Sequence, residues 1–282
     1  MRTYTKPLFM VLLGFFGIVS LWAQTVKKHG SDDFRIAIGA YTVRMVDFDE
    51  ALAFIQKLGI KYIQPKDYNN QIKTNSTPKQ IAAFKERLAK YGIEAYSLGV
   101  FYMHKKEDVD RQFAFAKAFG VDLLLAAPDY ELLPYVEQKV KETNIRLAIH
   151  THGSTRMPYP DPEDVMKHIA NMDPRIGICN DLAHSFRVGR NNVDDLKKYK
   201  DRIFDIHIRD VTMPDPNGRG CEMGRGTMDL PAMIRTLREI GYKGFITFEG
   251  DKDPENPFPG MAESIGYLRG VLDATARLDN NQ

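Results

Sequence analysis

Eight short apolar runs alternate with longer stretches in which apolar residues recur at helical spacing. The runs are Ile36–Tyr41, Tyr62–Pro65, Ile93–Val100, Val121–Ala126, Ile145–His150, Ile176–Asp181, Ile203–Ile208 and Gly244–Glu249. Each has the length and the β-branched or aromatic content of a buried strand. The segments between them carry the marks of helices. Thr77 is placed to cap a helix whose first residue is Pro78, and Ile81, Phe84, Leu88 and Tyr91 then fall on one face. Asp47 and Glu50 have capping-box spacing. Four times a helix-like stretch closes on apolar-Gly-apolar, at Leu58-Gly59-Ile60, Tyr91-Gly92-Ile93, Phe119-Gly120-Val121 and Ile240-Gly241-Tyr242. A left-handed glycine there ends the helix and the next apolar residue starts a strand. Eight such units predict a single (β/α)₈ barrel over residues 34–282. An open doubly wound sheet would alternate in the same way, but Gly39 runs into Ala40-Tyr41-Thr42 rather than a glycine-rich phosphate loop.

The first residues break the pattern. Arg2 and Lys6 precede an almost unbroken apolar stretch from Leu8 to Trp22. That stretch is shorter than the ~20 residues a membrane span needs, and a small residue, Ala23, follows it. The expected organisation is a cleaved signal peptide (1–23), a linker (24–33) and the barrel, with export to the periplasm or beyond and no stable membrane insertion. Cleavage removes two basic residues and no acid, which brings the formal charge from +2 to zero. A neutral chain offers no electrostatic footprint for nucleic acid. Cys179, in a predicted strand, and Cys221, in a loop, leave a disulfide open.

Four of the apolar runs stop at a metal-capable side chain: His150, Asp181, His207 and Glu249. Parallel strands of a barrel bring their C-terminal ends to one face, so two imidazoles and two carboxylates would converge there. That donor set suits one divalent cation, Mn²⁺ above Zn²⁺, Co²⁺ or Mg²⁺. His152, two residues beyond His150, shares its side of an extended segment, and either could bind metal while the other meets substrate. His184 sits just past Asp181, within reach of a ligand or a substrate hydroxyl. Lys66 follows the second strand, where its ammonium could polarise a substrate oxygen or move a proton, although an exposed loop pair with Asp67 reads equally well. Arg209 shares the inward side with His207, while Asp210 reads as a structural ion pair. Tyr41, closing the first strand, joins His184 and Arg209 as a substrate-binding candidate. Gly224-Arg225-Gly226 is a weak imitation of a phosphate cradle, and Val211–Leu230 is the expected active-site loop.

These residues resemble the xylose isomerase-like TIM barrels, the sugar phosphate isomerase/epimerase family. The resemblance is carried by Leu147–His152, Asn180-Asp181-Leu182-Ala183-His184, Ile206–Asp210 and Phe245–Glu249, and spans Phe34 to about Leu272. It implies one divalent metal held by Glu, Asp, His and Glu, of which Asp181, His207 and Glu249 match three. His150 stands where the family has its first Glu. In ketose 3-epimerases that Glu and the last one are paired bases, so its replacement puts symmetrical two-base epimerisation in doubt and leaves a less anionic, more Lewis-acidic site. The resemblance implies a metal-dependent isomerase or epimerase acting through an enediolate on a sugar or keto-sugar, with Glu249 or His152 taking the proton. Export argues against a phosphorylated substrate. A lyase or hydratase acting by β-elimination on 3-keto-glycosides or related oxidised sugars is the close alternative, and a non-catalytic sugar-binding barrel is the alternative of another class. A DNA-repair endonuclease of the same superfamily would need further histidines on the early strands.

Overall fold

The computed structural model describes residues 34–68, 71–154 and 157–279. The expected signal segment and linker lie outside the described residues. The strands are β1 (Arg35–Gly39), β2 (Tyr62–Gln64), β3 (Glu94–Ala95), β4 (Leu98–Met103), β5 (Leu123–Pro128), β6 (Arg146–His150), β7 (Ile176–Asp181), β8 (Ile203–Ile208), β9 (Asp210–Val211), β10 (Gly220–Cys221) and β11 (Phe245–Phe248). The helices are α1 (Phe48–Lys57), α2 (Pro78–Lys90), α3 (Lys106–Phe119), α4 (Leu133–Thr143), α5 (Pro162–Ile169), α6 (Leu182–Arg187), α7 (Asn192–Lys198), α8 (Leu230–Glu239) and α9 (Phe258–Asp279).

Nine strands form one parallel sheet in the order β3-β2-β1-β11-β8-β7-β6-β5-β4. Its two end strands, β3 and β4, are consecutive in the chain, and β3 pairs with β2 while β4 pairs with β5. They are therefore two halves of the third strand of a (β/α)₈ barrel. The chain closes the sheet through Ser97, with Tyr96 and Gly99 donating to Ile63 and Pro65. The expected uninterrupted strand Ile93–Val100 is thus corrected twice. It is broken after Ala95, where its pairing shifts from one neighbour to the other. It also runs on past Val100 to Met103.

The helix signals hold. Thr77 and Gln80 form a full capping box with proline in the first turn. The Asp47 carboxylate accepts from the Glu50 amide. Gly59, Gly92, Gly120 and Gly241 all have positive φ, as the junction pattern requires. Between sheet and helices lies the main core, with Ile38, Leu124, Ile149, Ile178, Ile206 and Ile246 fully buried. The barrel interior is a separate, smaller cluster of Val100, Leu123, Leu125, Ala148 and Cys179. Alternate residues face these two environments, so a strand such as β8 puts Ile206 and Ile208 outward and Asp205 and His207 inward.

Candidate active site

The β7–β8 and β8–β11 registers set the mouth of the barrel. Asp181 pairs with His207, and Thr247 pairs with His207 from the other side, so Glu249 projects one step above Thr247. His150 pairs with Cys179, two residues before Asp181. The facing donor atoms of His150, Asp181, His207 and Glu249 all lie within 4.8 Å of one another. His150 Nε2 is 3.2 Å from His207 Nδ1 and 3.8 Å from Asp181 Oδ2, and His207 Nδ1 is 3.2 Å from Glu249 Oε2. A cation with bonds of about 2.1 Å has ligand–ligand edges of about 3.4 Å in a tetrahedron. The cluster already has edges close to that size, so these four residues fit one divalent ion.

Hydrogen bonds, burial and neighbouring charges set the state of these candidate ligands. Asp181 caps α6, taking the His184 amide on Oδ1 at 2.8 Å, and its own amide donates to Thr151 Oγ1 at 3.0 Å. Its other oxygen, Oδ2, accepts from Arg209 NH1 at 2.8 Å. Burial alone would raise the Asp181 carboxyl, but Arg209 and the surrounding histidines outweigh it and hold the group ionised, well below the usual carboxylate range. Burial is opposed in the same way at Glu249, where His207 and Arg209 keep the carboxylate charged. His150 is driven well below the ordinary histidine range by burial and by the neighbouring imidazoles, so it presents a neutral ring.

The opposite wall comes from the early strands. A cavity of about 270 Å³ is lined by Tyr41, Lys66, Tyr102, His152, His184 and Glu249, together with His150, Arg209 and Asp251. The Lys66 ammonium sits over the rings of Tyr68 and Tyr102, 5.4 and 5.5 Å from their centroids. Asp67 turns away to Lys73 and Thr74. Burial lowers the Lys66 pKa, only partly countered by Glu249 and Asp67. Tyr102 Oη is 3.1 Å from His152 Nε2. Burial lowers His152 too, which favours its neutral form. Gly153, beside it, has φ +62°, and a Cβ there would lie 2.4 Å from the His184 carbonyl oxygen. Only glycine lets the His152 segment lie this close to α6.

Thus every expected site residue reaches the mouth, with differences in what each does there. Arg209 lines the cavity, yet its guanidinium is committed to Asp181, to His184 Nε2 at 3.2 Å and to Asp251 at 3.5 Å. His184 is caught between two guanidiniums, with Arg187 NH2 2.6 Å from its Nδ1; burial and this company push it down to about 3. Tyr68 and Tyr102 had not been singled out from sequence. Cys179, one layer below, is also within reach of His150 and His207, but burial pushes its thiol up to about 12. Both cysteines are free.

Two sequence expectations around the long loop are corrected. Asp210 forms no ion pair among the described residues. Its carboxylate accepts four backbone amides, those of Val211, Gly224, Gly226 and Met228, at 2.9–3.2 Å. Gly224-Arg225-Gly226 is therefore no phosphate cradle, because the chain's own carboxylate already fills that nest. The loop itself is ordered by a β9–β10 hairpin and by Arg187 donating to the Gly218 carbonyl at 3.0 Å.

The model of the xylose isomerase-like TIM barrel family matches residues 52–271. The chain belongs to that family. Within it, an inosose dehydratase of Lacticaseibacillus casei is 23% identical over 152 residues, 48% of this chain and 51% of its own. The rhizopine catabolism protein MocC of Rhizobium meliloti is 23% identical over 172 residues, 51% of this chain and 52% of its own. The chain thus spans about half the length of the curated relatives it matches. Among solved structures, an uncharacterised protein of Parabacteroides distasonis aligns with TM-score 0.66 and 23% identity over 84% of this chain and 99% of that one. The IOLI protein with a zinc atom aligns with TM-score 0.72 and 15% identity over 86% and 99%. These likenesses show the fold. A four-donor cluster that could hold a metal ion thus stands at the mouth of a xylose isomerase-like barrel. Among the described residues no helix is long and apolar enough to cross a membrane.

Proposed function

We propose that the protein is a metal-dependent dehydratase-type lyase, removing water or another β-substituent from a non-phosphorylated keto-sugar or keto-cyclitol. The observation that carries this reading is the asymmetry of the cavity. Glu249, an ionised carboxylate, stands on one side, and the Lys66–Tyr102–His152 group stands on the other. Isomerisation or epimerisation by paired carboxylates needs a second carboxylate where this chain has His150. Elimination needs instead one base for the C–H proton and a different group to give a proton to the departing oxygen. The curated relatives named as inosose dehydratases support the same choice.

His150, Asp181, His207 and Glu249 would hold the divalent cation, Mn²⁺ being our expectation. The cation supplies Lewis acidity to a carbonyl oxygen next to the C–H bond to be broken. Glu249 takes the proton, with His152 as the other candidate base. The C–H electron pair becomes the new C=C bond as the β C–O bond breaks. Tyr102 delivers a proton to the leaving oxygen, so hydroxide departs as water, and the Lys66 ammonium beside the ring favours the developing phenolate. Tyr41 and His184 meet the remaining hydroxyls. A cavity of about 270 Å³ lies at the small end of ligand sites, which suits one sugar ring.

The test is to incubate metal-loaded protein with a panel of inososes, keto-sugars and 3-keto-glycosides and read product mass. Loss of water, or of the aglycone from a glycoside, is expected. A product isomeric with the substrate apart from solvent deuterium gained at the α-carbon would make it an isomerase or epimerase. Unchanged sugar affinity in chelator, with no turnover, would make it a binding barrel. Export remains our proposal for location. Trp22 is the sole tryptophan, so a periplasmic preparation cut after Ala23 should show tyrosine emission alone.

A further inference from the structure

We propose that Asp205, with Tyr96 and Thr247, is a positioning unit that fixes His207 in the tautomer a cation requires, an inference that rests on the metal reading above. His207 presents Nδ1 to the cluster, 3.2 Å from both His150 Nε2 and Glu249 Oε2. For Nδ1 to offer a lone pair, the ring proton must sit on Nε2. That nitrogen is buried, points into the barrel and has no fully formed hydrogen bond. The polar atom facing it is Asp205 Oδ2, at 3.4 Å.

Asp205 is hard to explain as part of the fold. It is fully buried in the middle layer of the barrel, where branched apolar residues are the rule. Its surroundings include the apolar Val100, Leu125 and Ala148 interior. A carboxylate there carries a desolvation cost that an aliphatic side chain would avoid. Three groups reduce that cost and aim the carboxylate. Tyr96 Oη donates to Oδ2 at 2.9 Å and lies 2.6 Å from Thr247 Oγ1, which is itself 3.5 Å from Oδ1. The Cys179 thiol is 3.8 Å from Oδ2. In register, Cys179 lies level with Asp205 and Thr247 level with His207, so these groups hold the carboxylate from the sides while its Oδ2 faces the His207 ring at 3.4 Å. The second histidine makes the contrast: the far nitrogen of His150, Nδ1, is buried with no hydrogen-bond partner among the described residues. The molecule therefore orients one imidazole ligand by a buried carboxylate and leaves the other to packing.

Binding of Mn²⁺ and Zn²⁺ alone, measured by titration calorimetry beside thermal melting of the metal-free protein, separates the roles. Asp205→Asn should weaken metal binding roughly 10- to 100-fold, the usual cost of losing an outer-shell partner, while the metal-free protein melts no lower than wild type. Thr247→Val and Tyr96→Phe should weaken binding less, each by roughly 2- to 10-fold, a fraction of that outer-shell loss. ¹⁵N spectra of the zinc-loaded protein should show a protonated Nε2 on His207. Wild-type affinity in Asp205→Asn, or a lowered melting point with affinity unchanged, overturns the proposal and leaves the metal reading standing. A wild-type protein that takes up neither ion removes both. If Asp205→Asn does not fold, Tyr96→Phe decides: unchanged affinity there sinks the idea.

Discussion

The two walls of the barrel mouth are built on different principles. The wall from β6, β7, β8 and β11 consists of side chains at, or one residue from, the strand ends, and the four metal-capable groups there are within 4.8 Å of one another. The facing wall, from β1, β2 and β4, offers Tyr41, Lys66 and Tyr102, joined by ring and ammonium contacts rather than by convergent charge. The first wall is buried and fixes a position. The second is more open, with Tyr102 40% exposed, and can adapt to a substrate. On the proposed reading, a site that holds an ion rigidly and admits a sugar would divide those tasks between the halves of one sheet.

The comparison is most exposed to ligand removal. Asp181→Ala and Glu249→Ala should each lower metal affinity by roughly 100-fold or more without unfolding the barrel, because the cluster was assembled on charge that the fold does not need. Metal content by plasma emission and far-ultraviolet dichroism check this; full metal content in both variants would show that the wall does not bind. On the opposite side, Tyr102→Phe and Lys66→Met should keep metal affinity within twofold and lower kcat by roughly 10- to 100-fold, the range of a general acid. Lys66 also supplies a pH signature. Burial lowers its pKa, so the ammonium is lost as pH rises past a point below the ordinary lysine value, and turnover should fall on that alkaline limb. In Lys66→Met the limb should disappear.

A smaller effect distinguishes the two histidine ligands. Burial opposes charge on His207, but Cys179, Glu249 and Asp205 outweigh it and raise its pKa well above the usual value, whereas His150 is already neutral. Metal must displace a proton from His207 and none from His150. Affinity should therefore fall as pH drops through and below the raised His207 value, by at most about tenfold per unit. Calorimetry in buffers of different ionisation heat should show one proton released, unchanged in His150→Gln. The smallest change is expected at the loop. A Cβ on Gly226 would lie 2.1 Å from Asp210 Oδ1, so Gly226→Ala should cost about 1–3 kcal/mol, read by denaturant unfolding, with metal affinity intact.

The ligand wall could be read in the sequence because each ligand ends an apolar run, and strand ends of a parallel barrel share one face. The barrel was legible for a related reason: capping residues mark the starts of α1 and α2, and positive-φ glycines mark four helix-to-strand junctions. The substrate wall was harder. Ending the third strand at Val100 left Tyr102 unnoticed, although it lies two residues on and so on the same side of an extended strand. Asp205 was hidden inside Ile203–Ile208, where a lone acid on the His207 side was the available signal. Asp210 was misread because Arg209 beside it suggests an ion pair. Its real partners are amides up to 18 residues later, a distance over which spacing carries no information.

The Asp210 carboxylate, gripping amides from Val211 to Met228, bears on the thermodynamics of recognition. A long surface loop that becomes ordered only around its ligand adds an unfavourable entropy to association, together with a large negative heat-capacity change. Here the ordering accompanies folding of the barrel. On the proposed reading, sugar should enter a cavity whose neighbouring loop is already set, with a heat-capacity change governed by the ring and the aromatic wall and an association rate free of any slow loop rearrangement.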